Sequence, residues 1–167
     1  MAAGSTYTPI ATTTLGSSQT TITFNSFSGY TDLRLVAVPK STVDGMNYMF
    51  RFNGDTNQNY SYTQIRGNGS TVVSGRASNG TFFDNLNQGV YTTNPHIYTY
   101  DVFNYANSTT YKTILTRFSE MSGTGFTATS VGLWRKTPEP ITEITLTAIT
   151  DQFASGSTFT LYGITAA

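Results

Sequence analysis

The chain has 167 residues, of which 38% are hydrophobic, 14% aromatic and 11% charged, and its nine basic residues balance nine acidic ones. With no excess and no run of Lys or Arg, the sequence provides no phosphate-binding surface, so we expect no nucleic-acid partner. The absence of cysteine excludes disulfides and thiolate metal sites, and the apolar stretches are too short to cross a membrane.

This composition favours an all-β fold in a single domain. Thr, Gly, Ser and Asn take the place of the missing charged residues; Thr and aromatic residues favour strands, whereas Gly, Asn and Ser favour turns. No window sustains the three- and four-residue apolar spacing of a helix. We therefore expect one domain over residues 1–167, and no secretory signal, since the start lacks a basic segment and an apolar stretch.

The first predicted elements lie near the N-terminus. Residues 1–20 contain Pro9 and a Thr-rich tract, and they are either an arm that leaves the domain or an edge strand. Apolar and polar residues then alternate in "TITFNSF", "DLRLVAV" and "NYMFRF", as they do in half-buried strands. In the last of these segments, Tyr48, Phe50 and Phe52 share one face.

A turn at "NGD" leads into the next predicted strand, "NYSYTQIRG". The segment from Asn68 to Pro95 is the least regular of the chain, and we predict a long excursion with short structure of its own. Loops of that length in compact domains are often functional. Alternation returns in "HIYTYDVFNY" and "YKTILTRFSEM", and residues 104–110 between them predict a hairpin connection.

The last predicted strands are "ATSVGLWRK", "PITEITLTAI" and "STFTLYGI". They complete a set of about eight to ten short strands separated by turns, which is typical of an antiparallel β-sandwich or barrel. We expect a jelly-roll-like sandwich, because about eight strands and one long crossing connection suit that arrangement.

The sequence offers little for catalysis or metal binding. The chain has a single histidine, His96, at the apparent start of a strand, and no G-x-S-x-G motif. One histidine without cysteine is too few ligands for zinc. The loop "NGDTNQN" around Asp55 is the nearest approach to a calcium loop, but its single carboxylate favours a plain turn. We therefore expect no catalytic residue, no metal and no cofactor.

Aromatic residues at period two are the candidate interaction surface. Tyr60 and Tyr62 share one side of a strand, and so do Tyr98 and Tyr100. If these rings are exposed, they can stack on sugar rings or anchor a protein interface. If they are buried, they are core, and this interpretation is favoured because the chain has few other large residues. Trp134 is interpreted in the same way.

Three motifs occur in order along the chain. They are R-F-N-G-D-x-x-x-N-Y over residues 51–60, N-Y-x-N-x-x-x-x-K over residues 104–112, and G-S-x-F-x-L-Y-G over residues 156–163. With "GLWRKTPEPITEITLTAITDQFASGS", they resemble a group of tailed-bacteriophage virion structural proteins that is often seen in phages of aquatic bacteria. The resemblance covers roughly the C-terminal two thirds, and it implies a virion component without catalytic residues.

The first functional hypothesis is a capsid decoration or cement protein in the virion. It would bind the major capsid protein or other virion proteins as a homo-oligomer, with a homotrimer expected, through the N-terminal arm and an apolar sandwich edge. The alternative is a receptor- or glycan-binding module of a tail fibre or baseplate, using the tyrosines and the long excursion. A third hypothesis, a polysaccharide hydrolase, requires two carboxyl groups about 5 to 9.5 Å apart in an open cleft.

Overall fold

The computed structural model describes residues 6–84, 86, 88–94, 96–120 and 125–165. Every regular element among these residues is a β-strand. The strands are β1 Tyr7–Thr14, β2 Thr21–Phe24, β3 Asp32–Val38, β4 Tyr48–Phe52, β5 Tyr60–Gly67, β6 Val72–Gly80, β7 Phe83–Asp84, β8 His96–Phe103, β9 Lys112–Glu120, β10 Thr127–Trp134, β11 Ile144–Ala148 and β12 Thr158–Ile164.

The strands form two antiparallel sheets. The larger has eight strands in the order β1-β12-β3-β8-β9-β10-β5-β6, and the smaller has four in the order β2-β11-β4-β7. Nine of these strands coincide with the alternating segments of the sequence. The prediction of an all-β antiparallel sandwich is confirmed.

The strand pairs are nested in the sequence: β1 pairs with β12, β2 with β11, β3 with β8, and β4 with β7. This is the pairing of one long hairpin rolled up into two sheets, which defines a jelly roll. The hairpins β5–β6 and β9–β10 are insertions, and both extend the larger sheet beyond β8. The jelly-roll prediction is therefore confirmed, with four additional strands.

The core lies between the two sheets and is rich in aromatic residues. Tyr48, Phe50 and Phe52 on β4 point inward and have no exposed surface, as their shared face in the sequence predicts. Phe50 stacks on Tyr100 with ring centroids 4.6 Å apart, and Phe52 packs edge-on against Trp134 at 5.5 Å. Such pairs contribute about 0.5–1.5 kcal/mol each beyond the area they bury.

Residues 7–14 form the edge strand β1, which pairs with β12 along its whole length. Leu15, directly after the strand, is buried, and its backbone N–H donates to the Ser157 carbonyl at 3.0 Å. Of the two alternatives for the N-terminal segment, the edge strand therefore describes residues 7–14. The interpretation of residues 7–15 as a free arm is wrong because they belong to the sheet; residues 1–5 lie outside the described residues.

The excursion from residue 68 to residue 95 contains more regular structure than its sequence suggests. The nine residues of β6 pair with β5 and form the other edge of the larger sheet. The two residues of β7 complete the smaller sheet beside β4. The sequence pattern missed β6 because most of its side chains are exposed, so no apolar alternation marks it.

Candidate functional site

The four tyrosines of the candidate interaction surface are not exposed. Tyr60, Tyr98 and Tyr100 have no exposed surface, and Tyr62 is half-buried. Their hydroxyls are also bonded: Tyr98 donates to the Gln88 carbonyl at 2.9 Å, and Tyr62 donates to Asp84 at 2.6 Å.

The surface interpretation is wrong for Tyr98 and Tyr100 because β8 is a central strand whose period-two rings face the opposite sheet. It is also wrong for Tyr60 on β5, whose buried ring packs edge-on against Phe83 of the smaller sheet, whereas Tyr62 is half-buried. Burial raises the pKa values of Tyr60, Tyr62 and Tyr100 well above that of a free tyrosine, so these hydroxyls stay protonated. Trp134 is 1% exposed. The core interpretation is confirmed for Tyr60, Tyr98, Tyr100 and Trp134.

Asp55 lies in the turn after β4 and is only 5% exposed. Its Oδ1 accepts from the backbone N–H and the side-chain amide of Asn57, both at 3.0 Å. Its Oδ2 accepts from the Asn59 amide at 2.8 Å and from Trp134 Nε1 at 2.7 Å. Burial alone would raise the pKa of Asp55, but these donors together lower it. The carboxylate is thus bonded by protein donors, and the turn interpretation of "NGDTNQN" describes it.

Asn53 connects this turn to the segment before β11. Its Oδ1 accepts from the backbone N–H groups of Thr142 at 2.8 Å and Glu143 at 3.1 Å. Its Nδ2 donates to Glu139 Oε1 at 2.9 Å. Asn53 adopts a φ of 50°, a left-handed conformation that Asn tolerates better than most residues. We call this end of the sandwich, formed by residues 53–59, 104–111 and 135–143, the motif end.

Two of the three motifs that carry the resemblance thus meet at the motif end. Residues 53–59 and 104–111 contact the same segment, since Ile141 donates its backbone N–H to the Tyr105 carbonyl at 2.9 Å. Lys112, which ends the second motif, is 1% exposed, and its Nζ donates to the Thr110 carbonyl at 2.8 Å. The third motif is β12. In this structure the motif residues hold the fold together.

His96 lies at the opposite end of the sandwich, at the first position of β8. It is 2% exposed and packs between Phe118 and Tyr91, whose ring centroids lie 5.0 and 5.3 Å from its own. Neither of its ring nitrogens has a hydrogen-bond partner. Burial lowers the pKa of His96, and Glu120 opposes this effect. The sequence located His96 correctly at the start of a strand, and the structure shows that its side chain is buried there.

His96 lines a cavity of about 810 Å³ between the β5–β6 hairpin, the segment before β8 and the end of β9. We call this end, formed by residues 66–71, 88–94, 96 and 118–120, the cavity end. Polar groups from three elements reach the cavity, and the sequence did not bring them together because they lie far apart in the chain. The lining includes Arg66, Asn68, Gln88, Tyr91, Asn94, Glu120 and Phe126.

One wall of the cavity is held tightly against the loop after β3. Met46 and Val90 exchange backbone hydrogen bonds at 2.8 and 3.1 Å, and Asp44 accepts from the backbone N–H of Thr92 at 2.8 Å. The hydrogen bonds from the backbone N–H and the hydroxyl of Thr92 lower the pKa of Asp44. A Cβ on Gly89 would lie 2.6 Å from the Cα of Gly45, so only glycine permits this close approach.

The other candidate region is the outer face, which we define as the side of the larger sheet that points away from the core. Ile65, Val72 and Val131 on this face are 54%, 76% and 59% exposed. A concavity of about 500 Å³ lies among Ile65, Val72, Ile97 and Thr129. Exposed apolar side chains grouped around a concavity make this face a candidate site for a partner.

The centre of the outer face carries three charged residues. Asp101 is buried beneath Arg34 and Arg117; it accepts from Arg34 Nε, and Arg117 Nη2 donates to Asp101 Oδ2 at 2.6 Å. The hydrogen bond to Asp101 raises the pKa of Arg34. The carboxylate is fully engaged, so the centre of the face is covered by two guanidinium groups.

Among the described residues, no group of three or more His, Asp or Glu side chains is arranged to hold a metal ion. The same part of the chain contains no helix of the length and hydropathy needed to cross a membrane. Comparison with family models, curated proteins and solved structures finds no match to this chain.

Proposed function

We propose that this protein is a non-enzymatic structural component of a bacteriophage virion, a capsid decoration or cement protein. It binds neighbouring subunits of the major capsid protein through the outer face of its larger sheet. The motif resemblance supports the virion assignment, and the apolar concavity among Ile65, Val72 and Ile97, with exposed Val131 beside it on the same face, is the observation that carries the mode of binding.

The outer face suits a protein partner. Interface cores are depleted of charged side chains and are packed by apolar ones, and the face around the concavity combines Ile65, Val131 and Ile97 with threonines. Neighbouring threonines already bond to one another on this face, as Thr12 Oγ1 does to Thr160 Oγ1 at 3.1 Å. The two guanidinium groups over Asp101 provide polar contacts beside the apolar region.

Binding through the outer face replaces the N-terminal arm in the mechanism. Because β1 pairs with β12 and Leu15 is buried, removing residues 1–16 would take an edge strand from the sheet. A homo-oligomer, with a homotrimer as the expected form, would repeat the outer face in each copy. Because several copies bind at once, the overall affinity exceeds that of a single contact, so each contact can be weak. The zero net charge limits electrostatic repulsion between neighbouring copies.

The test is co-sedimentation of the purified protein with capsids of the encoding phage from which this protein has been removed. Val131→Glu and Ile65→Glu add a charge to the outer face, and we expect each to weaken binding about tenfold or more, since a buried unpaired charge is costly. Ile149→Glu is the matched control, because Ile149 is 47% exposed and lies outside the larger sheet. Equal binding by all three variants would refute the proposed mode of attachment.

The second candidate function is a receptor- or glycan-binding module of a tail fibre or baseplate. Burial of Tyr60, Tyr98 and Tyr100 removes the surface on which it was based. The observation that still favours it is the polar cavity around His96. A reconstruction of the intact particle distinguishes the two candidates, because it locates the chain on the capsid shell or on the tail.

A further inference from the structure

We propose that the cavity end binds one uncharged sugar unit, which packs on the exposed side of the Tyr91 ring and hydrogen-bonds to the imidazole of His96. This inference is independent of the proposed function, because a capsid protein and a tail module can each carry such a site. It rests on the cavity, on its polar and aromatic lining, and on the missing hydrogen-bond partners of His96.

The cavity has the size and the lining of a small-molecule site. Its volume of about 810 Å³ lies within the range of roughly 300–1,000 Å³ that is usual for ligand pockets. Arg66 and Glu120 contribute one charge of each sign, and amide side chains contribute both donors and acceptors. This balance favours a neutral ligand with many hydroxyl groups over an anion or a cation.

His96 is the least satisfied buried side chain among the described residues, because it alone has two buried polar atoms without a partner. Each such atom costs free energy, since it has lost its hydrogen bonds to water. A neutral imidazole has one donor and one acceptor, and a sugar hydroxyl can pair with either. A half-turn of the ring about χ2 exchanges its nitrogen and carbon positions, and no hydrogen bond of the ring opposes that turn.

Tyr91 provides the aromatic surface of the site. Its side chain is 38% exposed, and its ring meets His96 at an angle of 65°. The C–H groups on one face of a sugar ring carry a slight positive charge, which suits the negative face of an aromatic ring. The backbone of Tyr91 is held in place because its carbonyl accepts from the backbone N–H of Ser41 at 3.2 Å. The aromatic surface is therefore present before a ligand binds.

The single histidine makes the direct test simple. In a sample labelled with ¹⁵N only at histidine, the imidazole signals come from His96 alone. The protein is titrated with glucose, galactose, mannose and N-acetylglucosamine up to about 100 mM, well above the millimolar Kd of a weak ligand. We expect a saturable shift of the His96 nitrogens with at least one sugar. No saturable shift with any sugar, or one with inorganic phosphate alone, would overturn the proposal.

Variants separate ligand contact from a purely structural role. Tyr91→Ala should weaken the response of His96 to the sugar about tenfold or more, whereas Tyr111→Ala should leave it unchanged. Tyr111 is the matched control because it is 51% exposed and lies at the motif end. Equal loss in both variants, or no loss in either, would contradict the site.

His96→Phe is the most informative change, and its binding is followed by saturation transfer to the sugar. It keeps a ring in the same space but removes both unpartnered nitrogens, so we expect a higher melting temperature together with lost sugar binding. If His96 had only a structural role, the variant would have the higher melting temperature but would still bind the sugar. Unchanged sugar binding in His96→Phe would therefore overturn the role of His96.

Discussion

At the motif end the Asp55 carboxylate accepts four hydrogen bonds, whereas at the cavity end neither nitrogen of His96 has a partner. The same strands connect the two ends: β5 starts beside Asp55 and ends beside the cavity, and β9 starts at Lys112 and ends at Glu120. The same strands therefore hold the residues of both ends in place. They differ in their central buried polar group: the Asp55 carboxylate bonds to the chain itself through both oxygens, whereas both ring nitrogens of His96 lack a partner, and at the motif end only Arg135 Nε does so among the buried side-chain atoms of the described residues.

This difference indicates what each end is for. Polar groups that are fully bonded within the chain fix one conformation and have no capacity left for a ligand. Polar groups that stay buried without partners lower stability, and in native proteins they call for a specific explanation. We infer that the motif end maintains the fold and that the cavity end keeps hydrogen-bonding capacity for a ligand.

The strongest test of the comparison is Asp55→Ala, for which we expect a loss of about 3–4 kcal/mol in the free energy of unfolding. The change leaves Trp134 Nε1 buried without an acceptor and removes the charge-assisted bonds from Asn57 and Asn59. Urea denaturation followed by Trp134 fluorescence measures it. A loss below about 0.5 kcal/mol, the size expected of an ordinary surface change, would contradict a structural role for the motif end.

The same residue predicts an acid dependence. Because the pKa of Asp55 in the folded protein lies below its ordinary value of 3.8, its contribution to stability is present above that value. The contribution is lost as the pH falls through the lowered folded pKa. Asp55→Asn cannot titrate, so its stability should fall less steeply than that of the wild type below pH 3.8. Parallel acid curves for the two proteins would exclude this assignment.

Gly89→Ala tests whether the wall of the cavity is rigid, and we expect a loss of about 2 kcal/mol. The new Cβ would lie 2.6 Å from the Cα of Gly45, so the two backbone segments must separate. Gly16→Ala is the control, since a Cβ on Gly16 meets nothing within 4 Å. If thermal unfolding shows equal stability for both variants, the wall is able to move.

His96→Phe should have the opposite sign, with a gain of about 1–2 kcal/mol, because two unpartnered polar atoms leave the interior. The wild type should also lose stability as the pH falls from 6.5 through the lowered folded pKa of His96, since the unfolded chain takes up the proton first. Glu120 opposes the lowering of the His96 pKa. The His96→Phe variant should lack this pH-dependent loss of stability. Calorimetry between pH 7 and pH 5 compares the two proteins; a destabilised variant would contradict the comparison.

The smallest effect is expected for Val131→Glu, which should change stability by no more than about 0.5 kcal/mol. Val131 is 59% exposed on the outer face, so the new carboxylate stays in water. Urea denaturation provides the measurement. A larger loss would mean that the outer face supports the fold, and it would weaken the use of this variant as a test of capsid binding.

The architecture could be predicted from the sequence because alternation reports burial directly. In β4 the inward side chains of Tyr48, Phe50 and Phe52 were identifiable from spacing alone, and all three are buried. Composition favoured strands, no segment had the apolar spacing of a helix, and the number of turns favoured a sandwich. The edge strand β6 escaped this reasoning, since a strand without a buried face carries no alternation.

The partners of the candidate site residues could not be predicted, because they depend on contacts between distant segments. Asp55 and Trp134 are 79 positions apart, and a local pattern cannot indicate which indole reaches which carboxylate. The burial of Tyr98 follows from the central position of β8 in the larger sheet, which the sequence does not specify. His96 was identifiable as the only histidine, but its missing partners are a property of the assembled interior.

The nested strand pairing has a consequence for synthesis on the ribosome. β12 lies between β1 and β3 in the larger sheet, so the first and third strands to emerge cannot be joined until the twelfth has left the exit tunnel. Pairings this distant in sequence close slowly, and unpaired strands attract one another between chains. We therefore expect nascent chains of this protein to depend on chaperones until β12 has left the exit tunnel.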